Sequence, residues 1–169
     1  TMPSHGTWAI VDGKVRYTPS APFAGTDMFR YQVRDNEGNL SNEATVTVYC
    51  ADPIQVDLVE KANLNLTAGE RLYHLTSQHD GLLTAATNFD PAKGSVLLSL
   101  HDSSYDPANP DASRIGAPQN SRIDQAVHAG ESYYLRVSGT NTDVDLVLAN
   151  IFNQSAGAVT LYGTSGNDT

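Results

Sequence analysis

The sequence predicts an all-β chain of two tandem antiparallel β-sandwich modules, the first of them incomplete. Three observations carry this. Apolar and polar residues alternate with period two through most of the chain, the pattern of half-buried strands. Clusters of Gly, Pro, Asn and Asp interrupt the alternation at roughly 8–12-residue intervals, as in sandwiches. No stretch shows the three-and-four spacing of an amphipathic helix.

The elements follow in order. Residues 6–11 read as a strand, Asp12-Gly13 as a two-residue hairpin turn, and 14–18 as the returning strand. A loop over 19–25 leads to a strand at 28–34. There Phe29, Tyr31 and Val33 share one face and Arg30, Gln32 and Arg34 the other. Residues 35–39 turn the chain. In the next strand, at 44–50, Ala44, Val46, Val48 and Cys50 line one face. Ala51-Asp52-Pro53 marks a boundary. Beyond it, strands are expected at 55–59, 62–66, 71–76, 82–89, 96–101, 122–127, 132–137, 144–150 and 159–162. A polar loop is expected over 102–121, because Pro107, Pro110 and Pro118 cannot donate to a ladder. The expected organisation is therefore a partial β-module at 1–52, a sandwich at 53–155 and a tail at 156–169. The second region has strands enough to close its own core. The first has about four, where a complete sandwich of this kind has about seven. Either its remaining strands lie upstream, or it leans on a neighbour to cover an apolar face.

Composition narrows the function classes. The net charge of −9 argues against nucleic acid as a partner, which requires clustered Lys and Arg. It suits a calcium-bearing or salty exterior. No apolar run approaches the roughly 20 residues of a membrane span. The start, Thr1-Met2-Pro3-Ser4-His5, carries no basic and apolar leader, so export would rest on a signal upstream. A single cysteine, Cys50, allows no internal disulfide.

Three segments resemble known families. His5-Gly6-Thr7, Val15-x-Tyr17-Thr18-Pro19, Phe23-x-Gly25-Thr26-Asp27-x-Phe29-x-Tyr31-x-Val33-x-Asp35 and Ser41-x-x-Ala44-Thr45-Val46-Thr47-Val48 resemble the C-terminal half of bacterial cadherin-like or immunoglobulin-like repeats. That resemblance implies a module of a large secreted or surface protein. Leu66-Thr67-Ala68-Gly69-Glu70-Arg71-Leu72, Gly94-x-Val96-x-Leu98-x-Leu100-x-Asp102 and the run from Ala129 to Gly139 are similar to the bacterial pre-peptidase C-terminal domain. This implies a jelly-roll sandwich, non-catalytic and accessory, in a family where some members bind calcium, collagen or polysaccharide. The Gly-Asp-x-Asp element of its calcium-binding members reads Gly94-Ser95-Val96-Leu97 here, without the carboxylates. The tail from Leu161 to Thr169 resembles the start of a haemolysin-type calcium repeat. In such a repeat Asp168 would be a ligand only together with the turn that follows.

Among the residues themselves, Asp102, Asp106, Asn109 and Asp111 form the strongest candidate ligand set. Calcium takes several carboxylate and carbonyl oxygens from a flexible loop. A solvated loop of turn formers explains the same residues. Asp35, Glu37 and Asn39 are a second candidate cation site, and a hairpin turn with Gly38 at positive φ is the plainer account. His74, His79 and Asp80 suggest zinc, but zinc needs three or four converging ligands. Cys50 continues an apolar strand face and reads as core. His128 with Asp124 or Ser132 makes a triad only on paper, since no nucleophile elbow is present. Trp8, Tyr49, Tyr105 and Tyr134 are candidates for a sugar platform, which needs near-coplanar rings, against ordinary strand packing.

The expectation is a non-catalytic structural or adhesion segment of a large extracellular or cell-surface bacterial protein, with calcium as a possible stabiliser. Its partners would be neighbouring modules of the same polypeptide. The alternative is a module that targets a secreted hydrolase to extracellular polysaccharide or protein. No constellation meets the geometric roles of a catalytic site.

Overall fold

A computed structural model describes residues 1–67, 69–115, 120–155 and 158–162. The only helical element among them is a 3₁₀ turn at Pro91–Lys93. The chain divides into two compact units, Thr1–Ala51 and Asp52–Thr169.

In the first unit, β1 (Gly6–Val11) and β2 (Lys14–Pro19) form the expected hairpin. Asp12 and Gly13 both take positive φ, 51° and 73°, as a two-residue type I′ turn requires. Trp8 faces Tyr17 and Ile10 faces Val15 across it. A second two-stranded sheet joins β3 (Gly25–Tyr31) to β4 (Ala44–Cys50). The strand expected at 28–34 therefore starts three residues earlier and stops at Tyr31. Its buried face is Gly25, Asp27 and Phe29, because Asp27 carries a carboxylate that gathers donors from three segments. Tyr31 and Val33 continue the alternation yet stay 39% and 57% exposed. Trp8 stacks on Phe29 with ring centroids 5.8 Å apart.

The second unit is a sandwich. One sheet runs β10 (Ala112–Ile115), β9 (Val96–His101), β12 (Ser132–Gly139), β7 (Arg71–Ser77) and β5 (Asp52–Val56). The other runs β11 (Asn120–Val127), β8 (Gly81–Phe89), β13 (Val144–Ser155) and β14 (Ala158–Leu161), with β6 (Leu58–Leu64) also on β13. β6 pairs the first half of β13 and β14 its second half, both on the side away from β8. Among the described strands, all pairs are antiparallel except β5 with β7.

The division between the units falls after Ala51, within the stretch Ala51-Asp52-Pro53, and Asp52 and Pro53 open β5. It is an edge strand, where the missing proline N–H is tolerated. Two expectations change here. The strands expected at 55–59 and 62–66 are β5 and β6, divided at Asp57, where the chain leaves one sheet for the other. The loop expected over 102–121 shrinks, because 112–115 pair with β9 and β11 begins at Asn120. Pro107 and Pro110 remain in the loop, and Pro118 lies outside the described residues.

Alternate residues of both sheets interleave in one core. It includes Ile54, Val56, Leu75, Leu98, Leu100, Leu135 and Val137 from the first sheet, and Leu83, Ala85, Ile123, Leu146 and Leu148 from the second. Two fully buried asparagines hold the ends. Asn141 donates to the carbonyls of Asp90 and Gly94 at 2.8 and 2.9 Å, and its side-chain oxygen accepts the Asp143 N–H. Asn150 accepts the His79 N–H at 2.7 Å and donates to the Leu82 carbonyl. A buried amide left without these partners would cost about 1–3 kcal/mol, so both are corner braces.

Candidate functional site

The candidate residues are best judged by what each side chain already holds. In the 35–39 turn, Asp35 accepts the N–H groups of Glu37 and Asn39 at 2.9 and 2.8 Å, and the Asn39 amide at 3.0 Å. These bonds, the Asn39 amide first, hold its carboxyl below the usual range. This is an Asx-type turn, and the Glu37 and Asn39 backbones close it.

The 102–111 loop repeats the device. Asp102 accepts the N–H and hydroxyl of Ser104. Asp106 accepts the Ala108 N–H at 2.9 Å and the Asn109 amide. Both carboxyls are lowered, by the Ser104 hydroxyl and the Asn109 amide respectively. Asp111 is exposed at the loop's end. Asp102 and Asp106 thus each brace a separate turn. Among the described residues, no group of three or more His, Cys, Asp and Glu converges on a common point. Asp168 lies outside the described residues.

That loop is fixed to the outer face of the first sheet by rings. His101, 1% exposed at the end of β9, donates from Nδ1 to the Asp106 carbonyl at 2.8 Å, and its Nε2 meets the Ser99 hydroxyl at 3.0 Å. Tyr105 stands edge-on to His101 at 4.9 Å and reaches Tyr134 of β12 at 5.2 Å, with planes 48° apart. Tyr134 in turn packs on His74 of β7 at 4.8 Å and 34°. Tyr105 has φ +39°, an uncommon conformation for an aromatic residue, at the point where the loop bends onto this cluster. The periodicity that sends Tyr134 and Arg136 outward is met, and Arg136 pairs with Glu70.

The remaining candidates separate. His79 stacks on Tyr162 at 4.1 Å and 8°, with Asp57 3.8 Å from its Nε2. His128 lies beside Asp80 at 3.5 Å. His74, His79 and Asp80 therefore have different partners. Asp124 is held by Arg122 and Thr84. Ser132 faces Thr76 across β7. Burial pushes the half-buried Cys50 thiol up, away from a reactive thiolate. Tyr49 is exposed, while Trp8 lies on Phe29. An open cleft carries Asp90, Asp143 and Asp145. Their carboxylates engage the Ala92 N–H, the Lys93 ammonium and the Asn63 N–H.

Sequence reasoning missed Asp27. It sits 4% exposed and accepts the N–H groups of Ser4, His5 and Met28 at 2.9–3.0 Å and the Tyr17 hydroxyl at 2.8 Å. Burial alone would raise its carboxyl, but the His5 N–H, the Tyr17 hydroxyl and the other two N–H groups bring it below the usual range. Burial and the same carboxylate push the Tyr17 phenol well above its ordinary value. The available signal was an acid at the inward parity of a strand, beside Phe29.

Comparison with known proteins adds two findings. Residues 1–49 match the model of the bacterial Ig domain family. Among solved structures, the chain is similar to the pre-peptidase C-terminal domain of collagenase from Bacillus anthracis, at 17% identity and a TM-score of 0.44, covering 59% of this chain and 92% of that one. No curated protein sequence matches the chain.

Proposed function

We propose that this chain is a non-catalytic accessory segment of a larger extracellular or cell-surface bacterial protein, in which its two β units act as structural modules. One observation carries the reading: the candidate polar side chains are engaged in hydrogen bonds that hold backbone or neighbouring side chains in place. Asp27, Asp35, Asp102, Asp106, Asn141 and Asn150 hold turns, strand entries and corners. The bacterial Ig match over 1–49 supports a modular origin for the first unit. In this reading calcium stiffens the 35–39 and 102–111 turns through their solvent-facing carboxylates, and adhesion follows from module spacing. Thermal unfolding of the chain with and without calcium tests it: the midpoint should rise with calcium, and broad hydrolase screens should stay blank. Turnover of any screened substrate by the purified chain, lost on removal of one side chain, would overturn it.

A second reading, substrate targeting, draws on Tyr105 and Tyr134 lying together on one face. Their planes stand 48° apart, however, and Tyr134 is tilted on His74 as well. A sugar platform asks for nearly flat, parallel rings, so the cluster is better suited to pinning the loop. Retention on chitin, cellulose or collagen columns that disappears in Tyr134→Ala would reverse this preference.

A further inference from the structure

The outer face of the second sheet breaks the usual rule of polar residues outward. Core residues Leu83, Ala85 and Phe89 set the inward parity of β8, so Leu82, Thr84 and Ala86 point out. The register extends this face across five strands in rows of four, β14 and β6 sharing one side of β13. One row is Leu161, Phe152, Leu82 and Ala126; the next is Leu58, Ala149, Thr84 and Asp124; the third is Glu60, Val147, Ala86 and Arg122. A register shift between Ala149 and Phe152 is what brings Phe152 to this side, opposite Leu82. Leu161 is 72% exposed, Leu58 45% and Phe152 36%. Single exposed apolar residues are ordinary, whereas this set is contiguous and rimmed by Glu60, Asp124 and Arg122.

We propose that a second copy of this chain docks here, face to face, about a two-fold axis running parallel to the strands. The charges select this occupant. Glu60 and Arg122 stand at opposite ends of the same row. The two-fold rotation reverses the row, so Glu60 of each copy meets Arg122 of the other, twice per dimer, as an isologous interface demands. Arg122 already holds Asp124 through Nε and Nη2, and a five-donor guanidinium serves a second carboxylate as well. The same rotation lays Phe152 over Leu82 and Leu161 over Ala126. Packed sheets keep their strands within about 30°, which this axis permits.

The size of the face sets the strength. Four strands about 4.8 Å apart and five residue steps of about 3.4 Å give about 300 Å² per copy. That is below the roughly 800 Å² per partner of a stable interface, so the dimer is weak and reversible. Sedimentation equilibrium of the full chain from micromolar to millimolar concentration tests this. A monomer–dimer equilibrium is expected. Leu161→Lys, Glu60→Arg and Arg122→Glu should each raise the dissociation constant at least tenfold, and the double reversal Glu60→Arg with Arg122→Glu should recover dimerisation. Each variant is first checked for an unchanged melting curve, and Leu161→Lys, at so exposed a position, gives an arm in which folding is not at stake. A monomer at every concentration overturns the proposal. So does a dimer indifferent to Leu161→Lys, or one that the double reversal fails to restore.

Discussion

The two units use the same sequence pattern and reach different kinds of interior. In the second, alternate residues from two sheets interleave, and its core holds fully buried leucines such as Leu75, Leu98, Leu135 and Leu146. In the first, Phe29 is the only large apolar side chain among the described residues that is fully buried, and Ile10, Val15, Val33 and Leu40 stay outside. The interior of the first unit is instead organised by one acid, Asp27. The comparison teaches that period-two alternation specifies a face and not a core. A core forms where two such faces meet, and where they do not, polar bonds to the backbone carry more of the order.

Changes in the two interiors should therefore behave differently, and Trp8 offers a local reporter because the chain has one tryptophan and it lies in the first unit. The largest effect is expected from Leu135→Ala. It removes a side chain with no exposure from the middle of the first sheet and should cost about 4 kcal/mol. Urea unfolding followed by far-UV circular dichroism should show the loss, with little change in the Trp8 fluorescence transition. An equal shift in both signals would break the comparison.

Asp27→Ala comes next. It leaves the Ser4, His5 and Met28 N–H groups without their acceptor and the Tyr17 hydroxyl with only the His5 carbonyl, at about 3 kcal/mol. Here the Trp8 transition should move most. Acid provides the same test without mutation. The folded carboxyl titrates below its unfolded value, so its stabilisation is complete above the ordinary Asp range. It begins to be lost as the pH falls below about 3.9 and is gone once the pH has passed the depressed folded value. Trp8 fluorescence should report this acid transition in the native chain, and Asp27→Asn should flatten it. An unchanged profile in the variant would assign acid sensitivity elsewhere.

The smallest effects sharpen the contrast at two glycines. A Cβ on Gly139 would lie 2.1 Å from the Ser95 carbonyl oxygen, where β12 closes on β9. Gly139→Ala should cost about 2 kcal/mol, since backbone must shift. Gly13 also has positive φ, but a Cβ added there would meet nothing within 4 Å, so Gly13→Ala should cost only the conformational strain, about 1 kcal/mol. Melting temperatures of the two variants check the order, and a reversed order would show that the hairpin matters more than the sandwich joint.

Much of this was legible in the sequence, for a local reason. Hairpin turns declare themselves through residues that tolerate positive φ, as at Asp12-Gly13. Strands such as Val96–His101 declare their inward side through alternation. The acidic candidates were legible as residues but not as roles. Asp102 and Asp106 read equally as ligands or as turn braces until their N–H and amide partners are known.

What the sequence by itself determined is most of the strands and which side of each is apolar, because along a regular strand a side chain's direction follows its parity; the strand at Ala112–Ile115 was not among them. Tertiary structure alone decided which strands pair, that Asp57 is the point of transfer between sheets, that Asp27 is buried, that Tyr105 folds back onto Tyr134, and that the irregularity in β13 turns Phe152 outward. Each of these depends on groups far apart in the chain, whose meeting no local pattern records.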